Sequence, residues 1–209
     1  MFAHYQMTIL EEFLESTYEA AGIIYPHQIT VEELSQRLNV WLHYKPVTSR
    51  ALEAVSGMYS MFLDERLPAD QQRLDFLHEL CHLLRHAGNQ ISLPAAFTEM
   101  QEIEAEHFVL YAAMPFSMIK RLDLPNRRGL AVSALVETFH VPAAFAERRL
   151  DQLQRRVLQN MWNQISKEHE NKMHHFEPTW SRETMRILKQ LDRQLLAKGL
   201  PGYADKGLI

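Results

Sequence analysis

This chain offers almost nothing to cross-link and no stretch that a lipid bilayer would accept. A single cysteine, Cys81, among 209 residues excludes an intrachain disulfide and fits a reducing compartment. No segment approaches the roughly 18 uninterrupted apolar residues that a membrane-crossing helix needs. Met1 to Leu14 carries Glu11 and Glu12 and lacks a basic start before an apolar run, so no secretory leader and no membrane partner are expected, and the reading is cytoplasmic. An excess of positive charge is missing too. With 22 Lys and Arg against 26 Asp and Glu, a formal charge of −4, a broad nucleic-acid surface is disfavoured, although a local basic patch has room to exist. What remains is an ordinary 46% hydrophobic composition, enough for one domain, or one domain with an appendage.

The informative stretch is Asp75 to His86, in which His78, Glu79 and His82 form H-E-x-x-H. A four-residue step on a helix turns about 400° and rises roughly 6 Å, so His78 and His82 share a face one turn apart and can grip one metal ion. Glu79 lies about 100° around, placed to reach a water on the metal without filling a ligand position. Zinc suits such a site: it bonds neutral imidazole, has no redox activity, and brings the pKa of its water to about 7 when one position stays open. The bland alternative is an amphipathic helix with two histidines four apart by accident, which in a chain with 11 histidines arises at roughly the few-per-cent level. Phe76, Leu77, Leu80, Cys81, Leu83 and Leu84 make this helix strongly apolar, as a buried active-site helix should be.

Two imidazoles make half of a tetrahedral site, so further protein donors must come from elsewhere. In one zincin arrangement a second helix supplies a glutamate about twenty residues on, and a carboxylate four positions later steadies a ligating imidazole. Glu102 and Glu106 fit that pair, with Ala105 allowing the helices to approach. Glu104 is the competing third ligand and Glu99 a distant one. A helix bearing Glu99, Glu102, Glu104 and Glu106 also reads as a solvated acidic face, against which Met100, Ile103, Phe108, Tyr111 and Ala112 supply apolar surroundings. Glu102 is favoured.

Periodicity predicts helices over Thr8 to Ala21, from the N-cap Thr30 through Leu34 and Leu38, and over Ala95 to Ala113, with a turn at Ala87 to Pro94. Val40 to Tyr44 and Met58 to Leu63 read as strands, separated by Pro46 to Gly57 as a turn with some helix. A small antiparallel sheet is expected, its Met58 strand serving either as a core strand or as an edge that pairs with extended substrate. Phe116 to Leu124 reads as a short helix. Leu130 to Phe139, the corner His140-Val141-Pro142 and Ala143 to Leu153 read as helix, turn and helix. Lys167 to Pro178 reads as a linker or frayed helix, Ser181 as the cap of a final helix whose Met185, Leu188, Leu191, Leu195 and Leu196 form a core or dimer stripe, and Tyr203 to Ile209 as a loose tail.

Phe76-Leu77-His78-Glu79-Leu80-Cys81-His82, then Glu102-x-x-Ala105-x-x-Phe108, then Ala112-Ala113-Met114-Pro115 resemble the ImmA/IrrE metallopeptidases of bacteria, phages and integrative elements. The likeness runs from about Ile23 to Arg155. It implies His78, His82 and Glu102 as ligands of Zn2+ and Glu79 as catalytic base. Cys81 stands where that family has glycine, Glu106 where it has asparagine or aspartate, and Val109 where it has a small residue. Cys81 projects off the His78 and His82 face, so a buried, unreactive thiol is expected. His86 continues the series but three turns curve away from one ion, leaving a role behind a ligand, facing substrate or on the surface. His107 and His140 are candidates to stabilise an oxyanion.

The resemblance implies an α+β, predominantly helical fold: a zincin-like metallopeptidase domain over 1–125, a helix-turn-helix-like segment over 126–160 and a helical extension over 161–209. The expected activity is zinc-dependent cleavage within a protein substrate, by resemblance a helix-turn-helix repressor of a mobile element or stress regulon. The alternative is a non-catalytic regulator that binds DNA or a protein through residues 130–153, with Arg148, Arg149, Arg155 and Arg156 toward phosphate. Packing or protein docking by that segment is favoured over DNA, and a zinc-dependent amidase is a third option.

Overall fold

A computed structural model describes residues 2–55, 58–86, 94–174 and 181–199. The chain divides into two compact units, 1–161 and 162–209. In the first, α1 (Ile9–Ala20) starts on a reciprocal cap: the Glu11 amide donates to Thr8 Oγ1 at 3.1 Å and the Thr8 amide to Glu11 Oε2 at 2.8 Å. A short 3-10 turn, Pro26–Gln28, leads to α2 (Val31–Arg37). Thr30 caps α2 by accepting from the Glu33 amide, while the Glu33 carboxylate is turned to Arg37 at 2.6 Å.

Strands β1 (Val40–Lys45), β2 (Arg50–Val55) and β3 (Met58–Asp64) form a sheet in the order β1-β3-β2. β2 pairs antiparallel with β3, but β1 runs parallel to it, so the expected antiparallel sheet is instead mixed and has a third strand where a turn with some helix was expected. The Met58 strand takes the centre because it is the most apolar, with Met61 and Leu63 fully buried. The edge beside the histidine helix therefore falls to β2.

Helix α3 (Ala69–Arg85) carries the motif and buries Phe76, Leu77, Leu80 and Cys81 completely. Each such side chain contributes about 1.5–3 kcal/mol of transfer free energy, which fixes the rotation of α3 and hence the direction of its histidines. It packs on α4 (Ala95–Ala113), where Ala105 and Phe108 are fully buried. Near its start, Arg73 donates to the carbonyls of Ile29, Phe139 and His140 at 2.6–3.3 Å.

The expected helix over Phe116 to Leu124 is shorter, α5 (Phe116–Ile119). Helices α6 (Arg128–Phe139) and α7 (Ala143–His174) meet at a bend of 115°, turned by His140 in the left-handed conformation at φ 52°. The corner stands at the expected residues, but α7 does not stop near Leu153: it continues through Lys167 to His174, where a linker or frayed helix was expected, because no proline or glycine interrupts it. In the second unit α8 (Arg182–Ala197) begins on Ser181, whose hydroxyl accepts from the Thr184 amide at 3.1 Å. None of its residues is fully buried, and Met185, Leu188 and Leu195 are half-buried. The turn at 87–93, residues 175–178 and the tail at 203–209 lie outside the described residues. No single described helix is long and apolar enough to cross a membrane.

Candidate metal centre

His78 and His82 leave α3 on the face that meets the first half of α4, and Glu102 reaches them from there. His78 Nε2 lies 3.1 Å from His82 Nε2 and 3.2 Å from Glu102 Oε2, and His82 Nε2 lies 3.6 Å from Glu102 Oε1. Metal bonds of about 2.0–2.1 Å in a tetrahedron imply donor separations of roughly 3.3 Å, so these three edges fit one small divalent ion with a corner left open. His82, Glu102 and His78 are the one His/Cys/Asp/Glu group among the described residues whose donor atoms converge this closely. Burial and the neighbouring His78 push the His82 imidazole down to about 4, which keeps it neutral, the form a metal requires.

Glu79 is held beside this group. Its Oε2 accepts the Ala51 amide of β2 at 2.9 Å, so the edge strand turns that N–H toward the base rather than toward β3. Burial pushes the Glu79 carboxyl up to about 7; the Ala51 hydrogen bond opposes the rise and the charges of Asp75 and Glu102 add to it. A carboxylate near 7 is matched to taking and returning a proton at neutral pH. Asp75, one turn earlier on α3, is anchored by the Ser49 hydroxyl at 2.7 Å and by Gln71 at 3.0 Å. Asp75 carried no signal in the sequence beyond its nearness to the motif, and Ser49 and Ala51, 26 and 28 residues before their partners, carried none.

The rival acidic groups are engaged elsewhere. Glu104 accepts from Arg85 Nε at 2.7 Å and faces His86, whereas Glu106 is exposed and 3.7 Å from Arg148. Glu106 is therefore turned to solvent and Arg148 rather than to a ligand imidazole. Cys81 is buried, and its thiol is pushed up to about 12 by that burial, in keeping with an inert role. His107 lines a surface pocket with Arg148, Asp151 and other α7 residues, and His140 lines another with His27, Tyr44 and Arg73; neither pocket includes the His78, His82 and Glu102 group.

The arginines expected to face phosphate divide. Arg149 is fully buried and donates to Glu11 Oε1 at 2.8 Å, so it belongs to the interior; Arg156 donates to the Gln6 carbonyl at 2.9 Å.

Against known proteins, the peptidase family described by the IrrE N-terminal-like domain matches residues 35–151, a span that contains β1–β3, the histidine helix and Glu102. The chain belongs to this family. Among its relatives, the phage-like element PBSX protein XkdA of Bacillus subtilis is 35% identical over 147 residues, covering 70% of this chain and 74% of that protein. YqaB of the same organism is 33% identical over 160 residues, 77% of this chain and 92% of its own. Peptidases of the IrrE-like family are metallopeptidases, and the triad built by α3 and α4 is where this member could hold a metal.

Proposed function

We propose that this chain is a zinc-dependent endopeptidase with a zincin-like core. The convergence of His78, His82 and Glu102 on one point, with Glu79 beside it, is the observation that supports this most strongly. These three side chains would hold the ion, and their neutral imidazole and carboxylate chemistry favours zinc. When bound, zinc would supply the Lewis acidity that acidifies water and polarises a carbonyl. Glu79 takes the proton from the attacking water and delivers it to the leaving amine nitrogen, so one carboxyl acts first as base and then as acid. The unpaired side of β2 suits an extended peptide laid along it by backbone pairing, a mode that accepts varied sequences.

The substrate we favour is a helix-turn-helix repressor of a phage-like element, a reading supported by the phage-element relative. The corner between α6 and α7 is proposed as a helix-turn-helix-like segment that packs on the core and docks protein; the burial of Arg149 weakens the case for DNA. The lone cysteine supports a reducing, cytoplasmic setting. The test is metal analysis of the purified chain, followed by incubation with a helix-turn-helix repressor of a phage-like element. Bound zinc and a discrete cut are expected. A repressor left intact by the zinc-loaded protein removes the substrate assignment, and absence of metal uptake removes the mechanism.

A further inference from the structure

His86 stands directly behind the metal centre. Its Nδ1 is 2.8 Å from Nδ1 of His82, the ring nitrogen that points away from His78 and Glu102. Its side chain is 6% exposed, and its Nε2 is buried with no hydrogen-bond partner, 3.7 Å from Glu104 Oε2. The other oxygen of Glu104 is fixed by Arg85 Nε at 2.7 Å. Neither nitrogen of His86 faces the triad, so it is not a fourth ligand.

The tautomers follow from the geometry. If His82 binds metal through Nε2, its proton sits on Nδ1 and donates to His86 Nδ1. His86 must then accept there and carry its own proton on Nε2, which points at the Glu104 carboxylate. A closure of less than about 1 Å turns that 3.7 Å approach into a hydrogen bond and satisfies the orphaned nitrogen. Every donor in the series then meets an acceptor, from His82 to His86 to Glu104, and Arg85 holds the far end.

We propose that His86 and Glu104 are positioning residues that fix the tautomer and orientation of His82 for metal binding. This rests on the metallopeptidase reading and takes the place of the role expected of Glu106. Groups behind a ligating imidazole raise its basicity, and their loss commonly weakens metal affinity about 10–100-fold.

The experiment measures zinc affinity by competition with a chelator, and the cobalt(II) absorption spectrum, in full-length protein carrying Glu79→Gln so that no self-processing intervenes. His86→Phe, which keeps the volume but cannot accept, should weaken zinc about 10–100-fold and alter the cobalt spectrum, and Glu104→Ala should weaken it about tenfold. His86→Asn places an amide oxygen where Nδ1 was and should restore most of the affinity. Zinc affinity of His86→Phe within twofold of its parent overturns the proposal, as does equal weakening by Phe and Asn, which would mean that bulk alone matters. If the parent takes up no metal, the metallopeptidase reading itself falls and this one with it.

Discussion

Two polar clusters sit at opposite ends of α4, and they solve opposite problems. At its far end, Arg149 is sealed: Nη1 donates to Glu11 Oε1 at 2.8 Å and to Gln152 Oε1 at 2.6 Å, Nε donates to the Met114 carbonyl at 3.1 Å, and the guanidinium lies 4.8 Å over the Tyr111 ring. The Tyr5 hydroxyl donates to the same Glu11 oxygen at 2.5 Å. Opposite charges meet there with water shut out, and Arg149 Nε and Nη1 are both engaged, while Nη2 is buried without a hydrogen-bond partner among the described residues. Near the first half of α4, the His78, His82 and Glu102 side chains keep 30%, 13% and 45% exposure, and their potential ligand atoms converge on one another. A buried cluster that pairs opposite charges holds a fold together, and one whose potential ligand atoms converge and stay reachable suits an ion. The residue types overlap, but the match between partners differs.

The widest separation should come from Glu79→Gln, which keeps the three ligands. Cleavage of the proposed substrate should fall about 10²–10⁴-fold with zinc content unchanged, and surviving turnover would erase the distinction between ligand and base. Next comes Arg149→Leu, which leaves the Glu11 carboxylate buried alone. Urea unfolding should register a loss of about 3–5 kcal/mol, and a smaller loss when Glu11 is made apolar as well. A value near zero would mean that the sealed cluster carries no structural burden. Zinc added to metal-free protein at about a hundredfold over its Kd should raise stability by about 2.7 kcal/mol, and Glu102→Ala should remove most of that rise while leaving Arg149 untouched.

The mildest test is alkaline. Burial, opposed by Arg149, pushes Tyr5 up to about 12. A raised folded value means that the unfolded chain loses its proton first, near 10. The stabilisation is therefore complete below pH 10 and drains away as pH climbs toward 12. Tyr5→Phe should flatten that decline, and an unaltered slope would move the alkaline weakness to another tyrosine.

The histidine helix was legible because period, apolar flank and motif agreed, and the packing confirmed its rotation. Glu102 and Glu104 could be ranked but not separated by spacing alone: two residues apart, they differ by about 200° around a helix, and which side faces α3 depends on burial of Ala105 and Phe108. β2 was hidden because Ala51-Leu52-Glu53-Ala54 contains no β-branched residue and lies between Pro46 and Gly57, signs that favour a turn. The parallel pairing of β1 with β3 could not be read at all, since it depends on which strand takes the centre. Arg149 looked like a surface cation within an arginine-rich helix, and only a carboxylate 138 residues away explains its burial.

Glu11 does two jobs with one carboxylate, starting α1 through Thr8 and gripping Arg149 across the molecule. A ribosome makes the acid 138 residues before the base. The acid therefore precedes its partner by most of a domain, and any truncation short of Arg149 would leave a charge stranded where the interior should be.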